Sequence, residues 1–376
     1  MSRTTVDRGE YRTRSFDPDD AAAFLDLYED VWGVRKSADW FRWRFAENPH
    51  VDEVPMVLAT HGSDLVGAEP NVVFRLRAGE SDRIAYMPAD WMVHPDHRRR
   101  GVFTSMTESL LDRYADGPPA LYFNFPSDDI LPGLRKFDWR VVGSTPTFYR
   151  IQRPRAVANH SLAGGKRTAR VGRAVGSVAG PLARGYLATL DHLPSRRGGS
   201  VARHEGTPSR TLAALYERTA PDRIHVVRDR SFYDWRFANP RWDVRTYVTR
   251  RDGRPAGSLT VAEETNRGCR IARILDVLPM DGTASDAVYR SLLEAAVADS
   301  GHADLLTYAG QALAPRLLGR FGFHPDDSLP LSLFSEQSRM VVRPAARAPE
   351  EPYRIAGRAL VDPSNWLLSV ADQDVG

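Results

Sequence analysis

Apolar and polar positions along this chain repeat with two different periods. Tyr11–Phe16 alternates as a strand does, and Asp17 with Asp20 three residues on makes a capping-box-like start for the helix that follows. A second short helix is expected over Ala38–Phe45. Three strands are expected next, Pro55–Thr60, Leu65–Leu76 and Arg83–Val93, with Gly62-Ser63-Asp64 as the first turn. From about Arg100 to Tyr114 the spacing changes, and Val102, Phe103, Met106, Leu110 and Leu111 fall on one helical face. Leu121–Phe125 reads as a strand, Pro132–Phe137 as a short helix, and Val141–Gly143 with Thr147–Arg150 as a closing pair. The order predicts a mixed α/β fold with antiparallel hairpins first and one strand–helix–strand crossover after them.

Much of that pattern occurs twice. FRWRFAENP around Trp43 returns as YDWRFANP around Trp235, and Met56–Gly67 has a counterpart in Thr246–Gly257 with its Asp252-Gly253 turn. Each copy then runs strand, long helix, strand, and an aromatic-ended tail, KFDW at 136–139 and RFGF at 320–323. The expected organisation is a first domain at 1–150, a basic Gly/Ala/Arg segment at 151–205, a second domain at 206–345 and a tail at 346–376. Trp43 and Trp235 read as packing anchors. In the tail, Trp366-Leu367-Leu368 reads as a docked strand or turn, and Asp372 and Asp374 as solvated.

Composition narrows the class. A chain of 376 residues with 42% hydrophobic and 26% charged side chains can bury more than one core. A single cysteine, Cys269, allows no intrachain disulfide and no thiolate zinc cluster, and His94 with His97 lacks a third ligand, so no metal is expected. No apolar run approaches the ~18–20 residues of a spanning helix, and the first residues lack an apolar signal core, which points to the cytosol. The net charge of +3 is unevenly placed: residues 151–205 hold ten basic side chains and two acids. That segment reads as a connecting helix broken near Gly180-Pro181, as a helix in weak contact with a membrane surface, or as a patch for anionic partners. Nucleic-acid binding is not expected, because no recognition fold accompanies the charge.

The chemistry concentrates in Asp90–Met106, DWMVHPDHRRRGVFTSM. A strand feeds a basic, glycine-containing loop at a helix start, where free N–H groups and the helix dipole favour an anion. Arg98, Arg99 and Arg100 add charge, and Gly101 lets a ligand approach the backbone. No Gly-Lys-Ser/Thr follows, which excludes a P-loop, and the three glycines of a dinucleotide fingerprint are missing. A pyrophosphate is the natural guest.

These residues resemble the GNAT superfamily of acyl-CoA-dependent N-acyltransferases, whose Arg/Gln-x-x-Gly-x-Gly/Ala signature reads Arg98-Arg99-Arg100-Gly101-Val102-Phe103 here, after Val93-His94-Pro95. Phe103 replaces the final small residue. The resemblance covers residues 11–150 and implies that acetyl-CoA or another acyl-CoA is the co-substrate. It implies that the backbone of Trp91, Met92 and Val93 holds the pantetheine arm. The amides of Arg99–Phe103, with Thr104 and Ser105, would hold the pyrophosphate, and Asn124 would touch the cofactor where its strand splays from Val93. It further implies acyl transfer to a primary amine by direct attack, without a covalent enzyme intermediate. For the base, Asp90 and Glu69 are the candidates. The tyrosine many members use as acid falls on Leu134, which leaves Tyr122, Ser127 and Asp128. In the second copy Asp281-Gly282-Thr283 replaces the arginine loop, so that half reads as a degenerate tandem copy. The expected acceptor is a small amine such as an amino sugar or an amino-containing metabolite. A non-catalytic CoA- or partner-binding module is the rival, and aminoacyl transfer from charged tRNA a third reading.

Overall fold

The computed structural model describes residues 6–8, 10–157, 200–329, 331–333, 338–345 and 353–374. Most of the basic segment, 158–199, lies outside the described residues, and with it the three readings of that segment.

The first half opens with strands β1 (Val6–Arg8) and β2 (Tyr11–Ser15). Asp17 then closes the expected capping box with Asp20, a one-turn lead into helix α1 (Ala21–Trp32). Arg14 clamps the Asp20 carboxylate with two bonds of 2.6 Å, which fixes that corner. Helix α2 (Ala38–Phe41) runs straight into a wider turn over Arg42–Ala46, so the WRFA motif is helical. Strands β3 (Met56–His61), β4 (Asp64–Ala78) and β5 (Ser81–Pro88) form an antiparallel meander. The strand expected over Arg83–Val93 is broken. Asp90 adopts a left-handed φ of 48°, and a separate β6 (Met92–Val93) resumes pairing with β4 at Ala68 and Gly67. Helix α3 (Val102–Arg113), β7 (Pro119–Asn124), helix α4 (Leu131–Arg135), β8 (Arg140–Ser144) and β9 (Thr147–Ile151) follow.

The second half repeats the order. Strand β10 (Val201–Glu205), helix α5 (Ser209–Thr219), β11 (His225–Val226) and helix α6 (Arg230–Arg236) precede the meander β12 (Asp243–Arg251), β13 (Arg254–Asn266), β14 (Cys269–Leu278). Helix α7 (Asp286–Asp299), β15 (Leu305–Ala309), helix α8 (Pro315–Arg320), β16 (His324–Pro325) and β17 (Arg339–Pro344) complete it.

Two glycines explain how close the crossover helices lie. A Cβ on Gly67 would sit 2.9 Å from Met106 Sδ of α3, and one on Gly257 2.5 Å from Val288 Cγ1 of α7. Only a bare backbone on β4 and on β13 lets each helix settle directly on its sheet.

The halves exchange their closing strands. Strand β9 pairs with β15 and β16 in the second sheet, while β17 lies between β7 and β8 in the first. The expected closing pair of Val141–Gly143 with Thr147–Arg150 therefore does not form, and the boundaries at 150 and 345 divide the chain but not the sheets. Further joints bind the halves. Strand β11 pairs with β4, and the two repeat tryptophans bond reciprocally, Trp43 Nε1 to the Trp235 carbonyl at 2.8 Å and Trp235 Nε1 to the Trp43 carbonyl at 2.7 Å. The tail is the last joint. Trp366 is buried beside Ile224, and residues 369–374 form a strap across both halves. Asp372, expected to be solvated, is fully buried on Arg228, and Asp374 pairs with Arg44.

Candidate functional site

The parallel pairing of β5 with β7 stops at Tyr86 and Tyr122. Beyond it β6 bonds only to β4, and Asn124 at the end of β7 bonds outward to Val341 of the exchanged β17. The two strands part there, and the facing edges of Trp91–Val93 and Asn124 have no ladder partner among the described residues. Backbone groups so exposed at a splay are suited to a ligand with amide groups of its own.

The open edge leads into the loop. His94 N–H returns to the Val66 carbonyl at 2.9 Å, a short turn covers Pro95–His97, and Arg98 Nε bonds the Val93 carbonyl at 3.1 Å. Arg99 (φ 63°) and Gly101 (φ 81°) are both left-handed, so the chain reverses sharply into α3. The first intrahelical bond runs from Ser105 N–H to the Gly101 carbonyl at 2.9 Å. The amides of Val102, Phe103 and Thr104 thus have no intrahelical acceptor and face the loop. Arg98, Arg99, Arg100 and Gly101 are exposed, and nothing lies within 4 Å of where a Gly101 Cβ would be. Open amides, arginines and a bare Cα side by side fit a pyrophosphate.

Several side chains of this stretch turn inward, whereas the contacts expected of Met92 and Val102 are those of the backbone. Val102 is buried against Gly67, Met92 packs into the core on the α1 face, and Ser105 is buried within α3. Phe103 is half-buried between Trp91 (ring centroids 5.6 Å, edge-on) and Phe137 (6.5 Å), along the inner side of the splay. The residue that departs from the small-residue pattern therefore packs beneath the loop and leaves its mouth open. Thr104 lies half-buried in the first turn of the helix.

The sheet separates the three acid–base candidates. Glu69 lies under α3, 1% exposed, accepting a 2.9 Å bond from Thr107. Burial pushes its carboxyl up to about 8, against the smaller opposing effects of Thr107 and the neighbouring Trp91 indole. At neutral pH Glu69 is therefore protonated. Tyr122 is on the same side, fully buried, its hydroxyl unpartnered and pushed up by burial. Asp90 is on the opposite, α1 side, where it accepts from Arg44 Nε at 2.7 Å and from Tyr28 at 3.4 Å. Burial raises it above the ordinary carboxylate value despite Arg44. Of the other acids considered, Asp128 is tied to Arg339 of β17 at 3.0 Å.

Sequence reasoning missed several neighbours. Tyr11 donates to or accepts from His97 Nδ1 at 3.0 Å, and the rings of His61, His94 and His97 gather at the foot of the loop. Arg44, Lys36 and Asp374 surround Asp90. Arg44 lies inside the repeated WRFA, a sequence signal that marks it beside its tryptophan.

Comparison with known proteins now bears on this geometry. Residues 12–142 match the model of the acetyltransferase (GNAT) domain. This stretch is a GNAT domain. No curated protein matches the chain. Among solved structures, a GCN5-related N-acetyltransferase from Anabaena variabilis superposes with a TM-score of 0.58 at 11% identity, over 89% of this chain and 73% of its own. One from Kribbella flavida gives 0.55 at 14%, over 89% and 71%. A conserved protein of unknown function from Enterococcus faecalis gives 0.60 at 10%, over 89% and 72%. At such identities these likenesses speak to fold, which extends across both halves. The GNAT match supports acyl transfer as the general chemistry, and no helix among the described residues is long and apolar enough to cross a membrane.

Proposed function

We propose that the first half transfers an acyl group, acetyl foremost, from acyl-CoA to the primary amine of a small molecule. The observation that carries this reading is the continuous run from the open edge of Trp91–Val93 to the outward amides of α3 beside Arg98–Arg100. A bound acyl-CoA would supply an activated thioester at the splay. The chain's own residues hold its phosphates, align its arm along β6, and present the acceptor from the α1 side. There Asp90 takes the proton of the bound ammonium, the freed amine nitrogen bonds to the acyl carbon as the carbon–sulfur bond breaks, and the second nitrogen proton leaves to solvent. A carboxylate raised by burial suits that task. The departing thiolate takes its proton from solvent, since Tyr122 and Glu69 lie across the sheet. Phe103, where the family pattern has Gly or Ala, packs on Trp91.

The reading is tested by calorimetric titration of acetyl-CoA into the wild type, Gly101→Ala and Gly101→Glu. Both variants carry a side chain at a left-handed position, but only one places a carboxylate where phosphate belongs. Micromolar binding kept by the first and lost by the second supports the site; a wild type that does not bind overturns it. The pairing of Asp90 with Arg44 favours a second reading, a module that binds CoA without turnover. Slow release of CoA from acetyl-CoA without acceptor distinguishes the two, because a pure binder shows none.

A further inference from the structure

The α1 side of the site buries a guanidinium with one donor group left open. Arg44, 1% exposed, uses Nε for Asp90 and Nη2 for Asp374, but its Nη1 is buried without a hydrogen-bond partner. A guanidinium offers Nη1 and Nη2 as a two-point fork that matches a carboxylate. Asp374 reaches only one point of it, from the strap, with a side chain still one-third exposed. Arg236 is fully buried, bonds the strap carbonyls of Ala371 at 2.8 Å and Gln373 at 2.7 Å, lies over the rings of Trp43 and Trp242, and has no carboxylate hydrogen-bonded to it among the described residues. Two buried guanidiniums, Arg44 and Arg236, thus flank the end of the strap that carries Asp374, beside the Asp90 that the acceptor would meet. An acceptor that brings a carboxylate of its own would find on Arg44 the donor that Asp374 leaves open.

We infer that the acceptor is an α-amino acid, whose carboxylate takes the Nη1–Nη2 fork of Arg44 in place of Asp374 while its amine lies beside Asp90. This rests on the acyl-transfer reading and narrows its acceptor. Arg44 itself sets the spacing: Nε faces the base, and the fork faces the substrate carboxylate one guanidinium away. Asp374 acts as a one-point stand-in that covers the fork when the site is empty.

The test uses the full chain saturated with CoA, titrated calorimetrically with a panel of L-amino acids and the corresponding amides. The inference expects at least one amino acid to bind ten times more tightly than its amide. It expects Asp374→Asn to tighten that amino acid about tenfold further, and Arg44→Lys, checked for folding by thermal melt, to erase the preference. Equal or tighter binding of the amides overturns it, as does an Asp374→Asn variant with unchanged affinity. A wild type that takes CoA but no amino acid also overturns it and leaves the donor site standing. A wild type that fails to take CoA fails on the acyl-transfer reading instead.

Discussion

The two crossovers of this molecule share a frame and differ in what fills it. Gly67 lies against Val102 and Met106, and Gly257 against Val288 and Leu292, so the helices α3 and α7 sit alike on their sheets. In that register Phe103 corresponds to Tyr289, Glu69 to Leu259 and Thr107 to Leu293. In the second half the Tyr289 hydroxyl donates to the Pro279 carbonyl at 2.9 Å and accepts from Ala284 N–H at 3.3 Å. The Gly282 turn packs so tightly that its Cβ would lie 3.1 Å from the Ala312 carbonyl oxygen. That half ties its loop down with its own hydroxyl, and Asp281 takes the place of arginine. The first half keeps the loop open, and carries a buried polar pair, Glu69 and Thr107, where the other has two leucines. Leaving a carboxyl in a core costs stability, and at this position only the half with the anion loop bears that cost. The same frame accepts either filling.

The comparison breaks most sharply at the loops. Gly101→Glu should weaken acetyl-CoA binding more than a hundredfold by calorimetry, while Gly282→Ala should leave it within twofold. Equal losses would mean that both halves take part in binding. Next in size is the polar pair. Glu69 titrates near 8 in the fold against an ordinary 4.5, so its neutral form favours folding fully at low pH, and that contribution is lost as pH rises through 8. Denaturant unfolding should show stability falling by on the order of 4 kcal/mol between pH 5 and 9 from this group, and Glu69→Gln should flatten that slope. Gly282→Ala should cost about 2 kcal/mol, against about 1 kcal/mol for Gly101→Ala, because both are left-handed but only Gly282 is crowded. Smallest, Tyr289→Phe should cost about 1 kcal/mol for its lost bonds and loosen hydrogen exchange at Ala284.

What the sequence revealed follows the range of the interactions. The Asp17 capping box, the helical stripe of α3 and the arginine loop are local patterns, and each appears where its spacing placed it. Strand exchange is not local: Thr147–Ile151 and Arg339–Pro344 are both short strands, and nothing in either names its sheet. The same blindness covered the tail. Asp372 and Asp374 looked solvated because their partners, Arg228 and Arg44, lie 144 and 330 residues away. Asp90 was found as a candidate, but the break that turns it to the α1 side depends on β6 reforming its ladder with β4 rather than on any residue type. The faces of the sheet, and therefore the side on which each acid lies, came only with the structure.

The exchanged strands also decide how this molecule can be taken apart. Each half lends the other an internal strand: β17 fills a slot between β7 and β8, and β9 one between β15 and β16. Cutting the backbone between Arg155 and Val201 would give two polypeptides, each with a gap in its sheet and a loose strand that fits only the other's gap. Such pieces behave as key and lock to one another, since neither can close its own sheet and either can close its partner's. The joint that makes the halves inseparable in one chain would make them a matched pair in two.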